Sequence, residues 1–175
     1  MVKLDAKQLR KSVGDPIAYG KLPKNPLYII VDNVLDTYNI GAIFRLADAV
    51  AASEVILCGE TETPPHSRIK KSSINTTEWV EWSYENSAAE AIRKLKVKNE
   101  KLKVYAIEQD KRSRPYDKVE YQFPLALVIG HESRGVSREV LDLADKIVEL
   151  PMWGVNISLN VMVSLGIVLY KVMEK

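Results

Sequence analysis

The 175-residue chain holds one cysteine, Cys58, two histidines and only two phenylalanines. A lone thiol cannot close a disulfide within the chain, which fits a reducing, cytoplasmic setting and excludes a disulfide-stapled scaffold. His66 and His131 stand apart, and neither has a second ligand in metal-binding spacing, so no metal site is expected. Neither charge sign dominates: 25 Lys and Arg face 23 Asp and Glu, for a formal net charge of +2. That balance does not mark a general polyanion binder, so any nucleic-acid site must come from local clusters or from two subunits pooling their patches. The first residues, Met1 to Gln8, lack the apolar centre of a signal peptide. No apolar run reaches the ~20 residues that a membrane span needs. The nearest candidate, Ile157 to Val172, is interrupted by Ser158, Asn160, Ser164 and Gly166 and reads instead as a buried helix.

What is present is an alternation. Short apolar runs at Leu27–Val31, Glu54–Cys58, Leu102–Ile107, Leu125–Ile129 and Lys146–Leu150 read as strands, and Trp79–Tyr84 alternates like another. Between them, Ile40–Ala52, Ser87–Lys98, Val136–Leu143 and Ile157–Met173 carry helical spacing, with Asn39 expected to cap the first. Thr61–Thr77, with Pro64-Pro65, reads as a loop with one helical turn at most, and Gln109–Gln122 as a charged loop. Buried strands alternating with helices predict an α/β fold, a mostly parallel sheet covered by helices on both faces. Residues 1–26, broken at Gly14-Asp15-Pro16 and Pro23, read as an N-terminal arm, and 27–175 as one domain. The last helix is apolar around most of its surface and must be covered on every side, by the sheet and by a second subunit.

Polar residues crowd three places. Asn39-Ile40-Gly41-Ala42-Ile43-Phe44-Arg45 opens the first helix; Gly130-His131-Glu132-Ser133-Arg134-Gly135 follows a buried strand; and Leu150-Pro151-Met152-Trp153-Gly154-Val155-Asn156-Ile157-Ser158-Leu159-Asn160 precedes the last helix. The last is a tight Pro/Gly turn with three polar side chains, a fit place for a small polar ligand, and Ser158 is also placed to cap the helix. Taken in order, N-x-G-x-x-x-R, G-x-E-x-x-G and P-x-x-G-x-x-x-S-L-N-V resemble the motif set of the SPOUT superfamily, within it the TrmH (SpoU) family of RNA ribose 2′-O-methyltransferases. The resemblance covers roughly Leu27 to the C-terminus. It implies a C-terminal trefoil knot, which no periodicity reveals, S-adenosyl-L-methionine as methyl donor, tRNA or rRNA as substrate, and a homodimer.

By the same resemblance Asn39, Arg45, Glu132, Ser158 and Asn160 form the catalytic set. Ile107, Gly130, Leu150, Met152, Ser158 and Leu159 would hold the cofactor. Each has an ordinary use as well. Arg45 is a helix arginine on a small-residue face with Gly41, Ala42, Asp48 and Ala49, Glu132 is a loop carboxylate able to pair with Arg134 or Arg138, and Asn33 is a weaker candidate after the first strand. A guanidinium resists deprotonation, so Arg45 is expected to clamp a phosphate and stabilise developing alkoxide charge rather than act as a base. Basic clusters stand at Arg68-Ile69-Lys70-Lys71, Lys111-Arg112-Ser113-Arg114 and Arg134/Arg138; such runs are usually solvated surface, but the last two are on the edge of the expected site and are candidates for phosphate contact. The sequence departs from the family at Met162, where a serine contact is usual, and at Ser164, where the family often has alanine. That departure is the one support for a rival reading, a non-catalytic RNA-binding protein on the same fold. A nucleotide-dependent oxidoreductase is disfavoured because no G-x-G-x-x-G follows the first strand.

Overall fold

The computed structural model describes residues 5–11 and 21–174. Seven strands, β1 (Asn25–Asp32), β2 (Ala52–Cys58), β3 (Trp82–Glu85), β4 (Lys103–Ile107), β5 (Arg114–Pro115), β6 (Leu125–Gly130) and β7 (Lys146–Glu149), form one sheet in the order β3-β2-β1-β6-β4-β7-β5. Every pairing is parallel. The helices are α1 (Ala6–Lys11), α2 (Thr37–Ala49), α3 (Ser67–Ser73), α4 (Ala88–Lys98), α5 (Arg138–Leu143) and α6 (Val161–Met173), with 3-10 turns at Thr76–Glu78 and Tyr116–Lys118.

The central strands β1, β2, β4 and β6 show no polar alternation because both of their faces are buried. Leu27, Ile29 and Val31 of β1 point to one side, against Ile40, Ile43 and Phe44 of α2 and Leu165, Val168 and Leu169 of α6. Ile30, Ala126 and Val128 point to the other, against Ile92 and Leu95 of α4 and Val140 of α5. The predicted α/β class with helices on both faces is what the chain adopts. Cys58 lies in this second core, and burial pushes its thiol up to about 12, so it is an inert packing residue.

Several boundaries differ from the sequence expectation, each for a local reason. Asn39 does not cap α2; Asp36 does, accepting from the Tyr38 N–H at 2.8 Å, so the helix starts earlier and Asn39 is buried in its first turn. Ser158 does not cap α6; Asn160 does, its Oδ1 accepting from the N–H groups of Met162 and Val163. Residues 151–160 therefore form an extended, exposed loop rather than the start of a helix. The stretch expected as a loop at 61–77 holds the two-turn helix α3, capped by His66, whose Nδ1 accepts from the Arg68 N–H. Trp79 belongs to a buried turn before β3, and the 109–122 loop contributes the short strand β5. In the N-terminal segment Leu9 packs on the core and its carbonyl accepts from Asn75 Nδ2 at 2.8 Å. The expected break at Gly14–Pro16 lies outside the described residues.

Candidate active site

In an open parallel sheet, ligands bind beyond the carboxyl ends of the strands, where the winding direction changes. Here the chain winds outward from β1 to β2 and β3, then returns to build the other half, with β6 placed between β1 and β4 and β7 between β4 and β5. A cavity of about 630 Å³ opens at the carboxyl ends of β4, β6 and β7, where Ile107, Gly130 and Glu149 line it.

One wall is the loop 130–137, and backbone and carboxylates lock it in place. His131 and Gly135 exchange backbone hydrogen bonds at 3.0 and 2.9 Å, folding the loop on itself. A Cβ at Gly130 would lie 2.2 Å from the Gly135 carbonyl carbon, so only glycine permits that fold. Gly135 has φ +68°, and a Cβ there would meet Glu108 Oε2 at 2.1 Å. The Glu108 carboxylate accepts from the N–H groups of Val136 and Gln109, each at 2.8 Å. Asp32, 2% exposed at the end of β1, accepts from Ser137 N–H at 2.8 Å and from Asn33 Nδ2 at 2.8 Å.

Glu132 links this loop to α2. Its Oε1 accepts from Asp36 N–H (3.0 Å) and Asn39 Nδ2 (3.2 Å), and Oε2 from Leu35 N–H (3.2 Å). Partial burial alone would raise its pKa, but these donors, led by the Asp36 N–H, outweigh burial and hold the carboxyl below its ordinary value. It pairs with neither Arg134 nor Arg138: Arg134 reaches Glu60, while Arg138 reaches Asp110 and Asp142. An anionic carboxylate with three donors is an organiser of the pocket mouth and a poor proton acceptor.

The other wall is the loop 151–160. Asn160 Nδ2 donates to Asn39 Oδ1 at 3.0 Å, which completes a chain from Asn160 through Asn39 to Glu132. Because a carboxylate can only accept, Asn39 must present its amide N–H₂ to Glu132 and its oxygen to Asn160. The remaining anchor is Gln109 Nε2, donating to the Ile157 carbonyl at 2.5 Å. The Ser158 hydroxyl has no partner among the described residues.

All six expected cofactor residues, Ile107, Gly130, Leu150, Met152, Ser158 and Leu159, line this one cavity, as do Glu132, Ser158 and Asn160 of the catalytic set. Asn39 joins through its two hydrogen bonds. Arg45 does not line the cavity; it is exposed on α2, without an ion-pair or hydrogen-bond partner for its guanidinium among the described residues. The small face beside it has a packing cause: a Cβ at Gly41 would lie 1.9 Å from Ser72 Oγ, where α3 crosses α2. The expected phosphate contacts of Arg112 and Arg138 are opposed by the shared carboxylates of Asp110 and Asp142, which pair with both. Sequence reasoning misses Asp32, Asp36, Glu108 and Gln109. Asp32 and Glu108 do carry a signal, since each is a carboxylate directly after a buried strand run.

Comparison with known proteins finds relatives along most of the chain. The profile described as "SpoU rRNA Methylase family" matches residues 26–170. A tRNA (guanosine(18)-2′-O)-methyltransferase of Aquifex aeolicus is 34% identical over 149 residues, covering 83% of this chain and 67% of that protein. A 23S rRNA (guanosine-2′-O-)-methyltransferase of Haemophilus influenzae is 30% identical, covering 97% of this chain and 68% of that protein. Among solved structures, an AdoMet-bound rRNA methyltransferase from Sinorhizobium meliloti superposes with a TM-score of 0.77 at 27% identity, over 94% of this chain and 59% of that one. The chain thus spans about two thirds of the length of these two curated relatives, and less of the Sinorhizobium protein.

Proposed function

The chain belongs to the SpoU rRNA methylase family, and from that premise we propose that it is an S-adenosylmethionine-dependent methyltransferase acting on a ribose 2′-hydroxyl of tRNA or rRNA. The observation that carries the reading is the Asn160–Asn39–Glu132 chain at the mouth of one cavity. It joins side chains 121 and 93 positions apart, one from each motif. The cavity's volume falls within the roughly 300–1,000 Å³ usual for small-ligand sites. Its lining alternates apolar Ile107, Ile129, Leu150, Met152 and Leu159 with amide and carboxylate groups, which suits a nucleoside joined to an amino acid. Bound S-adenosylmethionine supplies an electrophilic methyl group. The chain's own residues would seat the nucleoside against the apolar lining, orient the ribose through Ser158 and the Asn39–Asn160 pair, and neutralise alkoxide or phosphate charge through Arg45.

Calorimetry with S-adenosylhomocysteine and methyl transfer from labelled donor to total RNA test this reading. Folded protein that binds donor and RNA yet transfers nothing would establish the rival, a binding protein on the same fold. Arg45→Ala is expected to leave cofactor affinity unchanged and to lower methyl transfer by about 10²–10³-fold.

Three finer readings belong to the same proposal. The C-terminal trefoil knot is supported by the insertion of β6 and β7 between neighbours laid down elsewhere in the chain. A homodimer is supported by exposed Trp153 (92%), Val155, Ile157, Val163 and Tyr170, an apolar surface that water disfavours. Sedimentation that returns a monomer mass at micromolar concentration would remove it. A cytoplasmic location is supported by the relatives' RNA substrates and the one buried thiol.

A further inference from the structure

A second groove, of about 390 Å³, lies between α3 and the sheet-edge strand β3, with Pro64, Pro65, His66, Lys70, Glu78 and Trp82 in its lining. Nothing in the methyl-transfer site uses it. Arg68, Lys70 and Lys71 on α3 are exposed and have no ion pair among the described residues, whereas Arg112, Arg134 and Arg138 are all bound to carboxylates. Unpaired surface cations beside a groove concentrate a polyanion there.

The lining adds a base-sized recognition surface. Trp82 offers an indole and the two prolines offer rigid rings without N–H groups, surfaces on which a nucleobase stacks whatever its identity. His66 Nδ1 accepts from the Arg68 N–H at 3.2 Å, so the neutral ring carries its proton on Nε2, which is left to donate. The Glu78 carboxylate can accept from an exocyclic amino group. The groove is also tied to the active site: α3 packs on α2 at Gly41, and Ser72 Oγ lies 3.4 Å from the Thr37 carbonyl oxygen, in the helix that carries Asn39 and Arg45.

We propose that this groove is an accessory RNA site that takes one unpaired nucleotide of the substrate, its base stacked on Trp82 and its flanking phosphates on Arg68 and Lys70. The inference rests on RNA being the substrate, and its test is separable from methyl transfer. Fluorescence anisotropy with a labelled single-stranded oligoadenylate, and with total tRNA, is measured on the full chain at several salt concentrations. Arg68→Glu/Lys70→Glu is expected to raise Kd at least tenfold and to lower the slope of log K against log salt by about 1.4, two phosphate contacts at about 0.7 each. Lys98→Glu/Lys101→Glu makes the same charge change at the end of α4, on the other sheet face, and is expected to change Kd less than threefold. Trp82→Phe retains binding, and Trp82→Leu weakens it about tenfold; circular dichroism and S-adenosylhomocysteine affinity stay at wild-type values in every variant. Equal losses in the two charge-reversal pairs, or none in the α3 pair, overturn the proposal, as they would if the groove served a protein partner. Loss of RNA binding in the α3 pair, with wild-type protein that transfers no methyl, keeps the groove and removes the function.

Discussion

The two walls of the cavity are built on opposite principles. The 130–137 loop is fixed by its own backbone hydrogen bonds, by a glycine with no room for a Cβ, and by carboxylates from β1, β4 and its own Glu132. The 151–160 loop is held by Gln109 at Ile157 and by Asn160 at its end, while Trp153 and Val155 stand in solvent. One wall is pre-organised, which keeps the cost of ordering it out of binding. The other has few internal contacts and large apolar side chains, the composition of a surface that orders against a ligand or a second protomer. The pocket therefore has one densely bonded wall and one sparsely bonded wall, and the asymmetry can be attacked from either side.

The largest effect is expected at Gly130. Gly130→Ala forces a methyl into the Gly135–Val136 backbone and should cost roughly 3 kcal/mol or more, read as a fall in denaturation midpoint. A stable variant with cofactor affinity intact would show the first wall to be soft. Next comes Asn160→Ala, which removes the α6 cap and the Asn39 contact together. About 1–2 kcal/mol of stability should go, with a larger loss in methyl transfer than in cofactor affinity. Glu132→Gln should cost less, about 1 kcal/mol, because the carboxylate is exposed. Its signature is pH dependence. A carboxyl whose folded pKa is below its ordinary 4.5 stabilises above that value, and the advantage fades as pH falls through the folded pKa. The stability gap between wild type and Glu132→Gln should accordingly close in acid, and a gap that persists there would assign it to shape rather than charge. The smallest effect is expected in the second wall. A Cβ at Gly154 would meet nothing within 4 Å, so Gly154→Ala should shift stability by less than about 0.5 kcal/mol.

Legibility in the sequence follows the same divide. Strands β1, β2, β4 and β6 are readable because burial on both faces leaves continuous apolar runs. The pocket-lining residues are readable through the resemblance of the motifs to a known family, and their loops lie beyond strand ends, where an open sheet exposes them. The caps expected at Asn39 and Ser158 fall instead to Asp36 and Asn160, equally good capping types nearby, and only the chain path selects among them. Helix α3 hides in the sequence because its residues, Ser-Arg-Ile-Lys-Lys-Ser-Ser, bury only Ile69 and Ser73 and show no apolar stripe. Of the pairs that join Arg112 and Arg138 to shared carboxylates, Arg112–Asp110 and Arg138–Asp142 are local, whereas Arg112–Asp142 and Arg138–Asp110 are invisible in the sequence because they bridge the loop after β4 and helix α5.

The amino-acid order alone determined the α/β class and the absence of a disulfide within the chain, because these depend on local composition and period, while most residues around the cavity were named by the resemblance of three motifs to a known family. Which side chains touch was decided only by tertiary structure. Asn39, Glu132 and Asn160 meet because parallel strands laid down far apart end side by side, and Arg45 is left outside that meeting by the turn of its own helix. Contacts across 93 and 121 positions are set by sheet order, and sheet order is a property of the folded chain rather than of any segment within it.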